Sequence, residues 1–204
     1  MKILDRDGIL SATILGILIF YFGGFNYLVF MFIFLFFGVL ATRYGHDIKK
    51  DMGLYEHERG VENVLSNGLG PAIFAFFSAQ TGPIPFLASV AAALSDTFGS
   101  EIGVLGKNPP IFLGNFKKAK PGTSGAMSVM GTIASAVGGM IIGALAMPIF
   151  NLNPQQAFFI GVAGFIGSLG DTLFGILEEK GIGTKGTTNF ICTIIGGVVG
   201  IFVR

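Results

Sequence analysis

Seven apolar stretches, each bounded by charged residues, glycine or proline, constrain the fold of this chain more than any other feature. They cover about residues 8–22, 26–42, 61–79, 83–99, 124–147, 154–177 and 187–203. A helix needs about 20 apolar residues to cross the hydrocarbon core of a bilayer. Charged residues make up 12% of the chain, about half the fraction of a soluble domain. The sequence therefore predicts an all-α polytopic membrane protein with about seven transmembrane helices.

The hydropathy pattern predicts a single integral membrane domain over residues 1–204, divided into an N-terminal helix hairpin (1–42) and a helix bundle (59–204). The polar residues of this bundle make it the expected catalytic part. The start, MKILDRDG, carries mixed charge and no small-residue cleavage site follows the first apolar stretch, so we expect a retained helix. A net charge of +1 gives no indication of a nucleic-acid partner.

The basic residues are concentrated on one side of the predicted membrane. If the connections alternate, the side that holds the N-terminus and residues 43–60, 100–123 and 178–186 carries 12 of the 13 lysines and arginines. The positive-inside rule makes this side cytoplasmic, with the C-terminus outside the cell membrane. The acidic residues lie on the same side, which predicts a cytoplasmic active site. A scaffold with a solvated inner face is the alternative.

Two segments of the chain look like copies of one helix–loop–helix unit, over residues 83–147 and 154–203. In the first, Asp96-Thr97 ends a helix and Lys120-Pro121-Gly122-Thr123-Ser124 opens the next. In the second, Asp171-Thr172 is followed by Lys185-Gly186-Thr187-Thr188. Both units would have the same orientation, so the pattern indicates a parallel duplication with both Asp-Thr ends on the cytoplasmic side.

The chemistry of these ends predicts a Mg²⁺–polyphosphate site. Carboxylates are ligands that Mg²⁺ takes together with phosphate oxygens, which suits Asp96 and Asp171. Helix N-termini bind anions, which suits Thr123-Ser124 and Thr187-Thr188. The competing interpretation is ordinary helix capping, with each aspartate paired to a nearby lysine. Asp171 and Asn189 lie on faces of small residues, so we expect both to point into the bundle.

Three further groups of residues are candidates for the same site. Glu101 is predicted as a second metal ligand or a base, if the helix breaks at Gly99. Arg59, Asn63 and Asn67 recur every four residues and would present one face to a nucleotide base or phosphate, although asparagine in an apolar helix can simply bond a neighbouring helix. Lys117, Lys118 and Lys120 form the densest basic cluster, suited to phosphates or to anionic lipids.

Four segments carry a resemblance to a known family: SDTFGSEIG (95–103), KPGTSGAMSVMGTIAS (120–135), GSLGDTLFG (167–175) and ENVLSNG (62–68). They resemble the signature segments of the plant phytyl-phosphate kinase family, whose animal relative is the protein called transmembrane protein nineteen. The segments follow the family's order over about residues 40–200. One departure concerns the last helix, where Thr184-Lys185-Gly186 stand in place of the family's frequent Asn-Asn-Asp run.

The resemblance implies a CTP-dependent kinase that converts a membrane-embedded prenyl monophosphate, such as phytyl or geranylgeranyl phosphate, to the diphosphate with Mg²⁺. Asp96, Asp171 and Glu101 would then be the catalytic and metal-binding residues. The other candidates, Asn63, Asn67, Lys117, Lys118, Lys120, Thr123, Ser124, Thr187, Thr188 and Asn189, would bind the nucleotide and phosphates. The expected partners are CTP, the prenyl phosphate and the bilayer, with a homodimer left open. A CTP-dependent cytidylyltransferase acting on a lipid phosphate and a lipid-phosphate or ion transporter are the alternatives.

Overall fold

A computed structural model describes residues 4–55 and 60–203 and confirms the all-α membrane architecture. The helices are α1 (Arg6–Gly23), α2 (Phe25–Arg43), α3 (His46–Asp51), α4 (Val61–Phe76), α5 (Ser78–Thr81), α6 (Ile84–Gly103), α7 (Val129–Phe150), α8 (Pro154–Glu178) and α9 (Lys185–Ile201). Among the described residues, α1, α2, α7 and α8 are long and apolar enough to cross a membrane unaided. The remaining long helices, α4, α6 and α9, match the other three predicted spans.

Side-chain caps set the starts of several of these helices. The Asp5 carboxylate accepts from Gly8 N at 2.6 Å and begins α1. Asn153 and Gln156 form a reciprocal capping box before α8, where Pro154 takes the first helical position. Thr184 and Thr187 form the equivalent box at the start of α9. These caps satisfy backbone N–H groups that have no partner within the helix.

Helix α6 lies at the centre of the bundle. It packs against α2, α4, α7, α8 and α9, and every residue from Pro85 to Phe98 is buried. Small residues make this packing close: a Cβ added at Gly164 would lie 2.7 Å from the Ala91 Cβ. Membrane helices that approach so closely gain van der Waals contact along the whole interface. The arrangement places Asp96, on α6, in the interior of the bundle.

The two N-terminal helices pack on the outside of this core. Helix α1 contacts α4 more extensively than it contacts α2, and α2 contacts α6. The turn between α1 and α2 is tight because Gly24 adopts a left-handed φ of 79°. Both helices of the predicted N-terminal hairpin therefore pack against the bundle.

The connection between α6 and α7 contains a small sheet that the hydropathy pattern did not predict. Strands β1 (Ile111–Phe112), β2 (Lys117–Lys118) and β3 (Ala126–Met127) pair antiparallel in the order β2-β1-β3. The prediction that Thr123-Ser124 open the next helix is wrong. They lie in a turn between Gly122 and Gly125, and α7 begins at Val129, capped by the Ser128 hydroxyl, which accepts from Gly131 N at 3.0 Å.

Candidate functional site

The two Asp-Thr ends meet inside the bundle. Asp96 comes from α6 and Asp171 from α8; both line one cavity, close enough for the two carboxyl groups to interact electrostatically. Asp96 is 7% exposed. Two carboxylates side by side in a buried setting repel each other, and this arrangement is stable when a cation or a proton neutralises one charge. The structure thus brings together the two acids that the repeated unit singled out.

Two buried side-chain oxygens of α8 and α9 have unused bonding capacity. Asp171 Oδ1 and Asn189 Oδ1 are buried and have no hydrogen-bond partner among the described residues. A buried unsatisfied acceptor costs about 1–3 kcal/mol. Lys185, in the first turn of α9, is close enough to act electrostatically on Asp96. Asp96, Asp171 and Lys185 therefore line one cavity, and the two carboxylates are ligands that suit a hard divalent cation.

These groups open into a cavity of about 140 Å³ at the end of the bundle. Its walls are Asp96 and Ser100 on α6, residues 121–128 of the α6–α7 connection, Asp171 and Thr172 on α8, and Lys185. The cavity is therefore walled by both halves of the repeated unit. Thr123 and Ser124 line it as predicted site residues, although from a loop and not from a helix start. A space of this size holds a phosphoryl group or a hydrated ion.

Glu178 joins the loop to the last helix at the edge of this cavity. Its Oε1 accepts from the Ser124 hydroxyl at 2.9 Å, and its Oε2 accepts from the Thr188 hydroxyl at 3.3 Å. Two predicted phosphate-binding residues, Ser124 and Thr188, therefore converge on one carboxylate at the last residue of α8. The sequence pattern assigned Glu178 no role.

The N-terminus of α9 already holds a carboxylate. Glu62, in the first turn of α4, accepts from the Thr184 hydroxyl at 2.7 Å and from Gly186 N at 3.2 Å. A carboxylate is favourable at this position because helix N-termini carry free N–H groups and partial positive charge. An internal carboxylate therefore occupies this helix start, next to Thr187, and phosphate binding by Thr187 and Thr188 stays a prediction.

Glu101 lies away from the paired aspartates. Helix α6 continues through Gly99 to Gly103, so the break on which the prediction depended does not occur. Glu101 Oε2 accepts from Lys49 Nζ at 2.7 Å, and its Oε1 accepts from the Thr42 hydroxyl at 2.9 Å. Both carboxylate oxygens of Glu101 therefore bond to side chains of α2 and α3. In the described residues, Glu101 does not lie beside Asp96.

Asn63 and Asn67 line a second cavity, between α4 and the two N-terminal helices. It has a volume of about 620 Å³ and is walled mainly by apolar side chains of α1 and α2. Asn67 Nδ2 donates to the Asn63 carbonyl at 3.0 Å. The third member of the predicted face, Arg59, lies outside the described residues. The role of these asparagines in nucleotide binding stays a prediction.

The basic cluster is exposed beside the first cavity and does not form its wall. Lys117 and Lys118 constitute β2, and Lys120 follows it; all three are exposed. After β2, the chain first lines the cavity at Pro121, the residue that follows Lys120. Phosphate contact by these lysines stays a prediction.

Sequence reasoning gave no individual site role to three residues that the structure places around the paired acids: Lys185, Ser100 and Thr172. Lys185 had a usable signal, because it precedes Gly-Thr-Thr just as Lys120 precedes Pro-Gly-Thr-Ser. Within the described part of the chain, no group of three or more His, Cys, Asp and Glu side chains is placed to hold a metal. Mg²⁺ binds through one or two carboxylates together with substrate phosphates, so the Asp96–Asp171 pair fits it.

The fold and the site define a polytopic helical membrane protein with a paired-acid polar cavity at one end of its bundle. The chain belongs to the family described as integral membrane protein DUF92, whose model matches residues 1–196. It is 38% identical to the uncharacterized membrane protein MJ0933 of Methanocaldococcus jannaschii, over 99% of this chain and 86% of the relative. It is 30% identical to the uncharacterized membrane protein sll0875 of Synechocystis, over 100% of this chain and 83% of that protein.

A more distant relative comes from a plant. Protein VTE6, chloroplastic, of Arabidopsis thaliana is 26% identical over 98% of this chain and 65% of its own length. No solved structure matches the chain.

Proposed function

We propose that this protein is a CTP-dependent phosphotransferase that acts on a membrane-embedded prenyl monophosphate at the end of the bundle that carries Asp96 and Asp171. The observation that carries the proposal is the convergence of these two acids with Lys185 at a cavity that both halves of the repeated unit enclose. The similarity to the plant relative and the four signature segments also support this proposal.

In the proposed reaction, the acceptor phosphate oxygen attacks the γ-phosphorus of CTP, and the bond to the bridging β–γ oxygen breaks. The products are the prenyl diphosphate and CDP, so atoms and charge balance. Phosphoryl transfer depends mainly on positioning and on neutralising negative charge. An acceptor that is already a phosphate monoester needs little deprotonation, which agrees with a site built of acids and a lysine and without a strong general base.

Each part of the cavity has a role in this proposal. Asp96 and Asp171 would hold Mg²⁺, which would supply charge neutralisation across the phosphates when bound. Lys185 would contact a non-bridging phosphate oxygen directly. Thr123 would present its hydroxyl, and Ser124 its backbone N–H, to the phosphate chain from the loop wall.

The membrane setting explains why such an enzyme would be built from transmembrane helices. The cavity lies at one end of the bundle, where a lipid phosphate at the bilayer surface can reach it while its prenyl chain stays in the hydrocarbon core. By the positive-inside rule we assign this end to the cytoplasm, where CTP is present.

The test uses the purified protein in nanodiscs with labelled CTP, Mg²⁺ and geranylgeranyl phosphate. Formation of prenyl diphosphate and CDP is the expected result. CDP-lipid and pyrophosphate would instead identify a cytidylyltransferase at the same site. If several prenyl phosphates give no nucleotide-dependent product while liposomes show uptake or flipping without CTP, the enzyme proposal is wrong and the transporter alternative replaces it.

A further inference from the structure

The connection that contains the β1–β2 hairpin carries several positive charges. The proposed reaction gives these charges no anionic binding partner. Residues 104–128, the connection between α6 and α7, contain four lysines and no acidic residue. By contrast, residues 43–60, which belong to the same side of the membrane, contain four basic and four acidic residues. Of these two connections, only the one between α6 and α7 therefore carries a net positive charge.

The tip of the hairpin presents an aromatic residue together with two of these lysines. Phe116 is 78% exposed and lies between Asn115 and the exposed Lys117 and Lys118. Large aromatic side chains are rarely so exposed next to water, whereas the membrane interface accepts them at headgroup level. An aromatic residue followed by lysines suits the surface of a bilayer, where anionic headgroups lie next to apolar acyl chains.

Short hydrogen bonds fix the shape of this tip. Phe116 N donates to the Phe112 carbonyl at 2.8 Å, Lys117 N donates to the Asn115 side-chain oxygen at 3.0 Å, and Ala119 N donates to the Pro110 carbonyl at 2.9 Å. A tip that is already ordered loses little conformational entropy when it binds a surface.

The hairpin also lies next to the last turn of α8. A Cβ added at Gly114 would lie 3.2 Å from Ile176 Cγ2, so the tip adjoins the last turn of α8. On that turn and the one before it, Leu173, Phe174 and Leu177 are exposed apolar side chains. In a membrane protein such side chains are covered by acyl chains. The hairpin therefore lies at the same end of α8 as these exposed apolar side chains.

We propose that residues 115–118 dock on the anionic surface of the adjoining leaflet, with Phe116 at headgroup level and Lys117 and Lys118 facing lipid phosphates. The charge complementarity between this acid-free basic loop and anionic lipid identifies the partner. The same connection returns through residues 121–128 to form the cavity wall. Docking of the tip therefore fixes one wall of the site relative to the membrane surface, whichever reaction the site performs.

The chain contains no tryptophan, so Phe116→Trp introduces a single indole fluorophore at the tip. The protein is placed in nanodiscs of phosphatidylcholine brominated on its acyl chains, with or without phosphatidylglycerol. We expect blue-shifted emission and about twofold or greater quenching when the anionic lipid is present, and reversal by high salt, because surface attraction of lysines is screened.

Lys117→Gln/Lys118→Gln on the Phe116→Trp background should remove the dependence on anionic lipid. The matched control is Phe202→Trp: Phe202 is 79% exposed, follows α9, and lies at the opposite end of the bundle. Its emission should not respond to the lysine substitutions. Solvent-like emission from the Phe116→Trp variant in both lipids, or quenching that is the same with and without anionic lipid and salt, would overturn the proposal.

Discussion

The Lys49 ammonium lies 2.7 Å from the Glu101 carboxylate and joins the short helix α3 to the end of α6. Lys49 is 1% exposed, and its Nζ also donates to the carbonyl groups of Ala41 and Thr42 at the end of α2. A buried ammonium with three oxygen partners in two other elements is a structural clamp. It fixes the part of α6 that follows Asp96.

Lys49→Met should destabilise the protein by about 3–5 kcal/mol, because it leaves the Glu101 carboxylate with an uncompensated charge. Lys49→Met/Glu101→Leu should recover much of this loss, since the apolar pair removes both charges. Thermal unfolding in detergent measures both variants. If the double variant is stable but loses all turnover, Glu101 has the metal-binding or base role that the sequence suggested and the clamp interpretation is insufficient.

Asp171→Asn and Asp96→Asn should each lower prenyl diphosphate formation by about 100-fold or more, because each removes a charge that the proposed site uses on the polyphosphate. The matched control is Asp51→Asn, which changes an exposed aspartate at the end of α3. Turnover assays are read together with the melting temperature. Full activity in either site variant would contradict the ligand roles of the paired acids.

Glu178→Ala should release the α6–α7 connection from α9, because it removes the acceptor for both the Ser124 and Thr188 hydroxyls. We expect trypsin to cleave at Lys117, Lys118 and Lys120 about threefold faster or more, as local opening becomes easier. Glu179→Ala, which changes the exposed neighbouring residue, serves as the control. Equal cleavage rates in the two variants would show that Glu178 does not hold the loop.

Gly164→Ala should destabilise the bundle by about 1–3 kcal/mol, since the new methyl group would meet the backbone and Cβ of Ala91 on the central helix. Gly16→Ala is the comparison, because at this position the nearest atom to the new Cβ is Leu28 Cδ1 at 3.5 Å, an ordinary contact. Unfolding in detergent distinguishes the two. Similar melting temperatures would mean that α6 and α8 can separate without cost.

The proposed orientation predicts opposite labelling of two exposed positions. Cys192 is buried and should not react with a membrane-impermeant maleimide in the folded protein. In intact cells, Gln155→Cys, at the start of α8 on the outer side, should be labelled. Ile182→Cys, in the α8–α9 connection, should react after permeabilisation. The reverse pattern would invert the assignment of the site to the cytoplasm.

The sequence predicted the helices and the meeting of Asp96 with Asp171 because both depend on local signals, hydropathy and a repeated Asp-Thr end. It failed at Thr123-Ser124 because Gly-Thr-Ser is also suited to a turn. Gly122 and Gly125 adopt left-handed φ values of 85° and 75° there, which stops a helix from starting. The positions of Glu101 and Glu62 depend on partners 52 and 124 residues away, which local pattern does not reveal.

The burial of α6 has a consequence for how the protein enters the membrane. Helix α6 is the most enclosed helix in the described structure, yet α1, α2, α7 and α8 are the described helices with the length and apolarity to cross alone. A segment that carries Asp96, Ser95 and several alanines gains little from lipid contact. We therefore expect the neighbouring helices to hold α6 in the bilayer. During synthesis, α6 should insert stably only after α7 and α8 have been made.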